Sequence, residues 1–176
     1  VALIDIDVHH GDGVQQILYE DKRVMTISLH ESGKYLFPGT GEVHELGSGL
    51  GRGLKLNVPL EPLTEGESYL EALEAVVPPA LAHFGPAVLV VQAGADAHYD
   101  DPLADLMLTT RDYERVFRRI LEWAAPALYV LGVILLVVVL IVGTGGTTAE
   151  ASHSWLSIGG RKIGQPSEFA KLATVL

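Results

Sequence analysis

The chain has 176 residues, 48% hydrophobic and 19% charged, which is enough for one ordinary domain and is not the composition of a disordered segment. Twenty-two acidic against twelve basic side chains leave a net charge of -10, which argues against a nucleic-acid backbone as partner and suits a cationic substrate. There is no cysteine, so disulfides and thiolate metal sites are excluded and a cytoplasmic setting is expected.

Residues 1–8 open directly on Val1-Ala-Leu-Ile-Asp-Ile-Asp, a buried-strand pattern with no initiator Met and no signal peptide. A parallel strand needs neighbours, so these residues are expected to lie inside a larger domain. A short helix is predicted over 13–19 and a second strand over 24–29. Residues 33–53 hold seven glycines among polar residues, the composition of a long loop with a task. A strand over 54–58 follows. The spacing of Leu70, Leu73, Val76, Val77 and Leu81 predicts a helix over 65–84, kinked or restarted at Pro78-Pro79. The apolar run over 87–92 reads as a strand covered on both faces. Thr110 is the predicted N-cap of a helix reaching Trp123, and residues 127–131 the next strand.

Strand, helix, strand in this order implies an α/β domain with a mostly parallel sheet. Working residues in such sheets lie just beyond the carboxyl ends of the strands. The segments 9–13 and 94–101 therefore belong to one rim.

Asp5-Ile-Asp-Val-His-His-Gly-Asp-Gly13 packs three carboxylates and two imidazoles into nine residues at a strand end. Residues two apart on a strand face the same way, so Asp5, Asp7 and His9 are expected to project together. Carboxylates crowded in that manner repel one another and take up protons unless a cation is present. Asp96 arrives from the 87–92 strand as a further carboxylate. Two Asp oxygens and one His nitrogen leave coordination positions open, as a catalytic zinc site requires. The competing readings are a turn whose polar groups cap the next helix, and for Asp96 an Asx-turn. The first leaves the density of ligands unexplained.

With these residues in view, the segment Asp5 to Gly13, Val24-Met-Thr-Ile-Ser-Leu-His30, Phe37-Pro-Gly-Thr-Gly41 and Gly94-Ala-Asp-Ala-His98 resemble the zinc-dependent histone deacetylase family. They are most similar to its bacterial, class II-like branch of acetoin-utilisation-type proteins and acetylpolyamine hydrolases. The resemblance covers residues 1–131. It implies an arginase/deacetylase-like parallel sheet flanked by helices, present as an incomplete domain. It also implies zinc, or ferrous iron in its place, on Asp7, His9 and Asp96, and a structural potassium ion on Asp5, Asp7, His9, Ser28 and Leu29. Asp5 and Asp12 would orient two active-site histidines. Phe37 would form a wall of the tunnel for an acyl-lysine stem, or else pack into the core. His10 and His98 would be supporting groups. The partners so implied are an acylated lysine, a polyamine or a small amide.

The departures are equally specific. The family's tandem His-His pair upstream of the first motif, its general acid and base and distinct from His9-His10, is not in these residues. Where a Gly-Gly-Tyr turn is expected the chain reads Leu131-Gly-Val-Ile-Leu. Tyr129 lies on the predicted strand and is not promoted to that role. Residues 132–176 form a divergent tail, apolar to 142, read as an altered frame or junction, a membrane anchor, or a sheet completion. Two other functions compete with the deacetylase. One is an arginase-like manganese ureohydrolase, whose bridging Asp would fall at Gly11. The other is a metal-binding remnant without catalysis.

Overall fold

The computed structural model describes residues 1–142, 156–158 and 161–164. The chain divides into two compact units, Val1–Val116 and Phe117–Leu176.

In the first unit, strands at Ala2–Asp5 (β1), Met25–Glu31 (β2), Lys55–Leu60 (β3) and Leu89–Gln92 (β4) form one parallel sheet in the order β3-β2-β1-β4. Helices occupy Asp12–Ile17 (α1) and Gly66–Phe84 (α2). The chain builds outward from β1 through β2 to β3, and α2 then carries it back to the far side of β1 as β4. The direction of growth thus reverses between β1 and β4. A crevice is expected at the carboxyl ends of two strands related in that way.

β2 is buried along its whole length, as an inner parallel strand should be. Ala2, Ile4, Met25, Ile27 and Leu29 form the core together with Leu70, Leu73 and Val77 of α2. α2 runs without a restart through Pro78 and Pro79, where a kink or restart was expected. The helix is one element, closed by Gly85 in the left-handed conformation (φ 60°), whose N–H reaches the Leu81 carbonyl. β4 differs from its expected burial on both faces. It is the outermost strand of the described sheet, and Val88 and Val90 are 54% and 42% exposed.

Thr110 begins the next helix, Thr110–Val142 (α3), but the cap is Thr109. Its backbone N–H and hydroxyl both donate to Asp112 Oδ2, and its hydroxyl oxygen accepts the Asp112 N–H. This reciprocal pairing needs a spacing of three, which Thr109 and Asp112 provide. α3 also replaces the expected strand over 127–131. Periodicity alone cannot divide an apolar, β-branched run between strand and helix, and a helix satisfies its backbone without a partner strand.

In the second unit, beyond the helix, Leu156–Ile158 (β5) and Arg161–Gly164 (β6) pair antiparallel with each other. The remainder of the tail, 143–155, 159–160 and 165–176, lies outside the described residues. Among the described residues no helix is long and apolar enough to cross a membrane, although the side chains of several residues in the second half of α3 are outside that description.

Candidate metal centre

β1 ends at Asp5, and the chain bends immediately afterwards. The Asp7 N–H donates to Asp5 Oδ1 at 3.1 Å, and the His9 N–H donates to Asp7 Oδ1 at 2.9 Å. The strand therefore stops too early for simple alternation to aim all three side chains alike. Asp5 is buried (5% exposed), while Asp7 and His9 reach the crevice beside β4.

Asp96 comes from the segment after β4. Its Oδ1 accepts the Val8 N–H at 2.9 Å, and its Oδ2 lies 3.0 Å from His9 Nδ1, which is also 3.2 Å from Asp7 Oδ1. One ligand atom from each of Asp7, His9 and Asp96 lies within 4.8 Å of the others, the one such metal-ligating group among the described residues. All three are partly buried, and Asp7 and His9 line a cavity of about 450 Å³ together with Leu3, Val14 and Val90. Metal–ligand bonds near 2.1 Å put tetrahedral ligands about 3.4 Å apart. The two spacings from His9 Nδ1, 3.2 and 3.0 Å, lie within a few tenths of an ångström of that value, and all three ligand atoms lie within 4.8 Å of one another. The donor set and its convergence therefore fit one small divalent cation with open positions.

Two glycines make this convergence sterically possible. A Cβ on Gly94 would sit 2.6 Å from Asp7 Oδ2 and 2.7 Å from Asp7 Cα, and one on Gly11 would sit 2.5 Å from Asp5 Oδ2. Gly94→Ala is expected to push the Asp96 segment off Asp7, destabilising the fold by about 1–3 kcal/mol. Zinc affinity should fall more than tenfold. Chemical denaturation and a zinc titration of the same variant check both parts. Unchanged values would mean that the two loops are not held at this separation.

Burial pushes the Asp5 carboxyl up to about 6, and the charges of Asp7 and Asp96 act the same way. Behind it lies a histidine pair, His10 and His30, with ring centroids 4.8 Å apart. His30 Nε2 must carry its proton, since it faces the Gly41 carbonyl at 3.0 Å; Nδ1 then accepts from the Ser28 hydroxyl at 2.9 Å. Burial, and next the neighbouring His10, bring His30 down to about 4. His10 pairs Nδ1 with Thr40 Oγ1 at 2.8 Å.

These two shifts make opposite contributions to stability. The His30 contribution is present above its unfolded value of 6.5 and lost as pH falls through about 4. The Asp5 contribution is present below 3.8 and lost as pH rises through about 6. Each amounts to about 3 kcal/mol. Metal-free protein is therefore expected to have a nearly flat stability between pH 4 and about 6, whereas His30→Gln should lose stability as pH rises across that window. Urea unfolding at several pH values measures it, and parallel profiles for the two proteins would contradict the assignment.

The other expected site residues are more dispersed. Asp12 lines the same cavity at the start of α1, and its Oδ1 accepts the Gly13 N–H at 2.6 Å. Ser28 and Leu29 are buried on β2, with Ser28 opposite Asp5 in the sheet. Phe37 is 78% exposed on the glycine-rich loop, so it is not a core residue, and it does not line the cavity around Asp7 and His9. His98 stacks on Tyr99 (4.5 Å) and accepts the Asp100 N–H at Nδ1 (3.3 Å). Tyr113 is a residue that the sequence did not single out. Its hydroxyl accepts the Ala97 N–H at 3.0 Å, next to Asp96. A lone tyrosine sixteen positions from the residue it supports carries no local pattern.

Fold and site together define a parallel α/β protein with an Asp-His-Asp group, able to hold a metal ion, at its switch point. The family model for the histone deacetylase domain matches residues 1–150, and the chain belongs to that family. The match runs past residue 131. The chain is 50% identical over 118 residues to the acetoin utilization protein AcuC of Bacillus subtilis, covering 67% of this chain and 30% of that protein. It is 41% identical over 124 residues to a probable deacetylase of Archaeoglobus fulgidus, covering 70% and 34%. Among solved structures, a histone deacetylase homologue from Aquifex aeolicus superposes with a TM-score of 0.67 at 35% identity, covering 69% of this chain and 33% of the other. The chain thus spans about a third of the length of the curated relatives it matches.

Proposed function

We propose that this chain carries the metal-ligating part of an amide hydrolase site that removes acyl groups, acetyl above all, from lysine, polyamine or a small amide. The observation that carries this reading is the convergence of Asp7, His9 and Asp96 at the β1/β4 switch point of a histone deacetylase-family domain.

Asp7, His9 and Asp96 would hold zinc, or ferrous iron in its place. Such an ion polarises an acyl carbonyl and lowers the pKa of water toward about 7. The remaining roles belong to the protein. Asp5 and Asp12 would each orient an imidazole by accepting its N–H, fixing the tautomer. Asp5, Asp7, His9, Ser28 and Leu29 would hold a structural potassium ion. A small pocket of about 10 Å³ lined by Asp5, His10 and Ser28 supports a small occupant at the buried end of that set. Phe37, exposed on its loop, would flank the substrate stem. A net charge of -10 would favour a cationic substrate such as a polyamine over nucleic acid, and the setting would be cytoplasmic.

The ureohydrolase reading requires a second metal and a bridging carboxylate. At Gly11 a side chain would run into Asp5, and Asp7, His9 and Asp96 make one ligand group among the described residues. The test is product analysis. The chain, joined to the remaining two thirds of a relative's domain, is loaded with zinc or manganese and offered acetyl-lysine peptide, acetylspermidine and arginine. Zinc-dependent acetate release without urea is expected. Urea release would transfer the site to the other chemistry, and neither product from a folded, metal-loaded chimera would favour an inert metal-binding remnant.

A further inference from the structure

We propose that Tyr113 is a positioning residue for Asp96, acting through the backbone of Ala97. The proposal rests on the metal reading of Asp7, His9 and Asp96 given above.

The Asp96 carboxylate is held by the Val8 N–H and by His9, but those contacts do not anchor the backbone that carries it. The anchor lies one residue on. Ala97 is 1% exposed, and both of its backbone groups are taken. Its N–H donates to the Tyr113 hydroxyl at 3.0 Å, and its carbonyl accepts the Leu108 N–H at 3.2 Å. Water has little access to that N–H, so removing the phenol oxygen would leave a buried donor unpaired. The backbone would then shift to find another acceptor, and Asp96 would move with it.

The acceptor is itself held firmly. Tyr113 lies in the first turn of α3, which the reciprocal Thr109–Asp112 bonds fix in place. Gly66, at the start of α2, adds to this, because a Cβ there would collide with the Asp112 carboxylate. The α2 terminus can therefore close on the α3 cap. Burial first, and then the charges of Asp96, Asp7 and Asp101, hold the Tyr113 phenol protonated at about 12, so it remains a neutral hydroxyl throughout the useful pH range.

Tyr69 provides an internal control. It is buried, its hydroxyl has no hydrogen-bond partner among the described residues, and it lies close enough to Asp5 and Asp96 to feel their charges. Both Tyr113→Phe and Tyr69→Phe remove one oxygen from the same neighbourhood, yet only the first removes a bond to the Asp96 segment.

The experiment measures zinc affinity of the whole 176-residue chain by competition with a chromophoric chelator. The visible absorption of the cobalt-substituted protein reports ligand geometry. Tyr113→Phe is expected to weaken zinc by roughly 10–100-fold, the range for loss of an outer partner of a metal ligand, and to alter the cobalt spectrum. Tyr69→Phe should stay within about twofold with an unchanged spectrum. Wild-type affinity and spectrum in Tyr113→Phe would overturn the proposal, as would equal losses in both variants, which would indicate general loosening. Absence of binding by the wild type would instead overturn the metal reading beneath it. Should Tyr113→Phe not fold, amide exchange at Ala97 of the wild type decides. Protection there, strengthened by zinc, supports the clamp, and exchange at open-loop rates with and without zinc removes it.

Discussion

His9→Ala is expected to reduce zinc affinity by far more than the roughly 100-fold that follows loss of an outer partner, to the point where dialysed protein retains no stoichiometric metal. His9 supplies the only nitrogen among the three converging ligand atoms, and its Nδ1 lies within 3.2 Å of both carboxylates. Without it, Asp7 and Asp96 face the crevice with neither an imidazole nor a full donor set, and two carboxylates alone are a poor match for zinc. The same measurement on Asp96→Ala should give a similar loss, because Asp96 is the ligand that brings β4 to the site. Metal analysis after dialysis, with denaturation curves to show that each variant folds, is decisive. Equal zinc content in wild type and either variant would remove the residue from the ligand set.

The second large effect is on catalysis. The 176-residue chain, loaded with zinc, is expected to hydrolyse acetyl-lysine or acetylpolyamine substrates barely above the uncatalysed rate. General acid–base help is worth about 10²–10⁴-fold and an oxyanion donor about 10²–10³-fold. Neither group of the family pattern is present here. The family's histidine pair upstream of the Asp5–Gly13 motif is not among these residues, and Leu131-Gly-Val-Ile-Leu, where the Gly-Gly-Tyr turn is expected, continues α3. Metal polarisation alone then leaves activity several orders of magnitude below that of a complete domain. Supplying both missing segments should restore zinc-dependent turnover that Asp96→Ala abolishes. Robust, Asp96-dependent hydrolysis by the 176 residues alone would show that the chemistry needs fewer groups than this.

Much of the candidate site was legible in the sequence, because its chemistry is dense and local. Asp7 and His9 stand two residues apart at the end of an apolar run, and Asp96 follows a second such run after a glycine. Strand patterns ending in ligands suffice to place those ligands on the carboxyl rim of a parallel sheet. The strands themselves were equally readable, since inner parallel strands are continuous apolar runs with few alternatives. The glycines of the 33–53 loop and at 94 announced close approaches but not the atoms approached. Gly94 faces Asp7, and Gly41 faces His30 and His10.

Tertiary structure decided everything that depends on which strands are neighbours. Nothing in residues 87–92 says that β4 crosses back to lie beside β1 and not beyond β3, yet that crossover alone brings Asp96 within reach of His9. The fate of 127–131 was undetermined for a related reason. An apolar run becomes a strand only where a partner offers backbone bonds, and here the run continues α3. The histidine pair and Tyr113 are further cases. Burial, not residue type, brings His30 down to about 4, and the Tyr113–Ala97 bond joins residues sixteen positions apart. Residue types and short spacings determine which groups can bind a metal. Only the packing of the sheet determines which of them meet, because distances between segments are set by the core between them and by no local pattern.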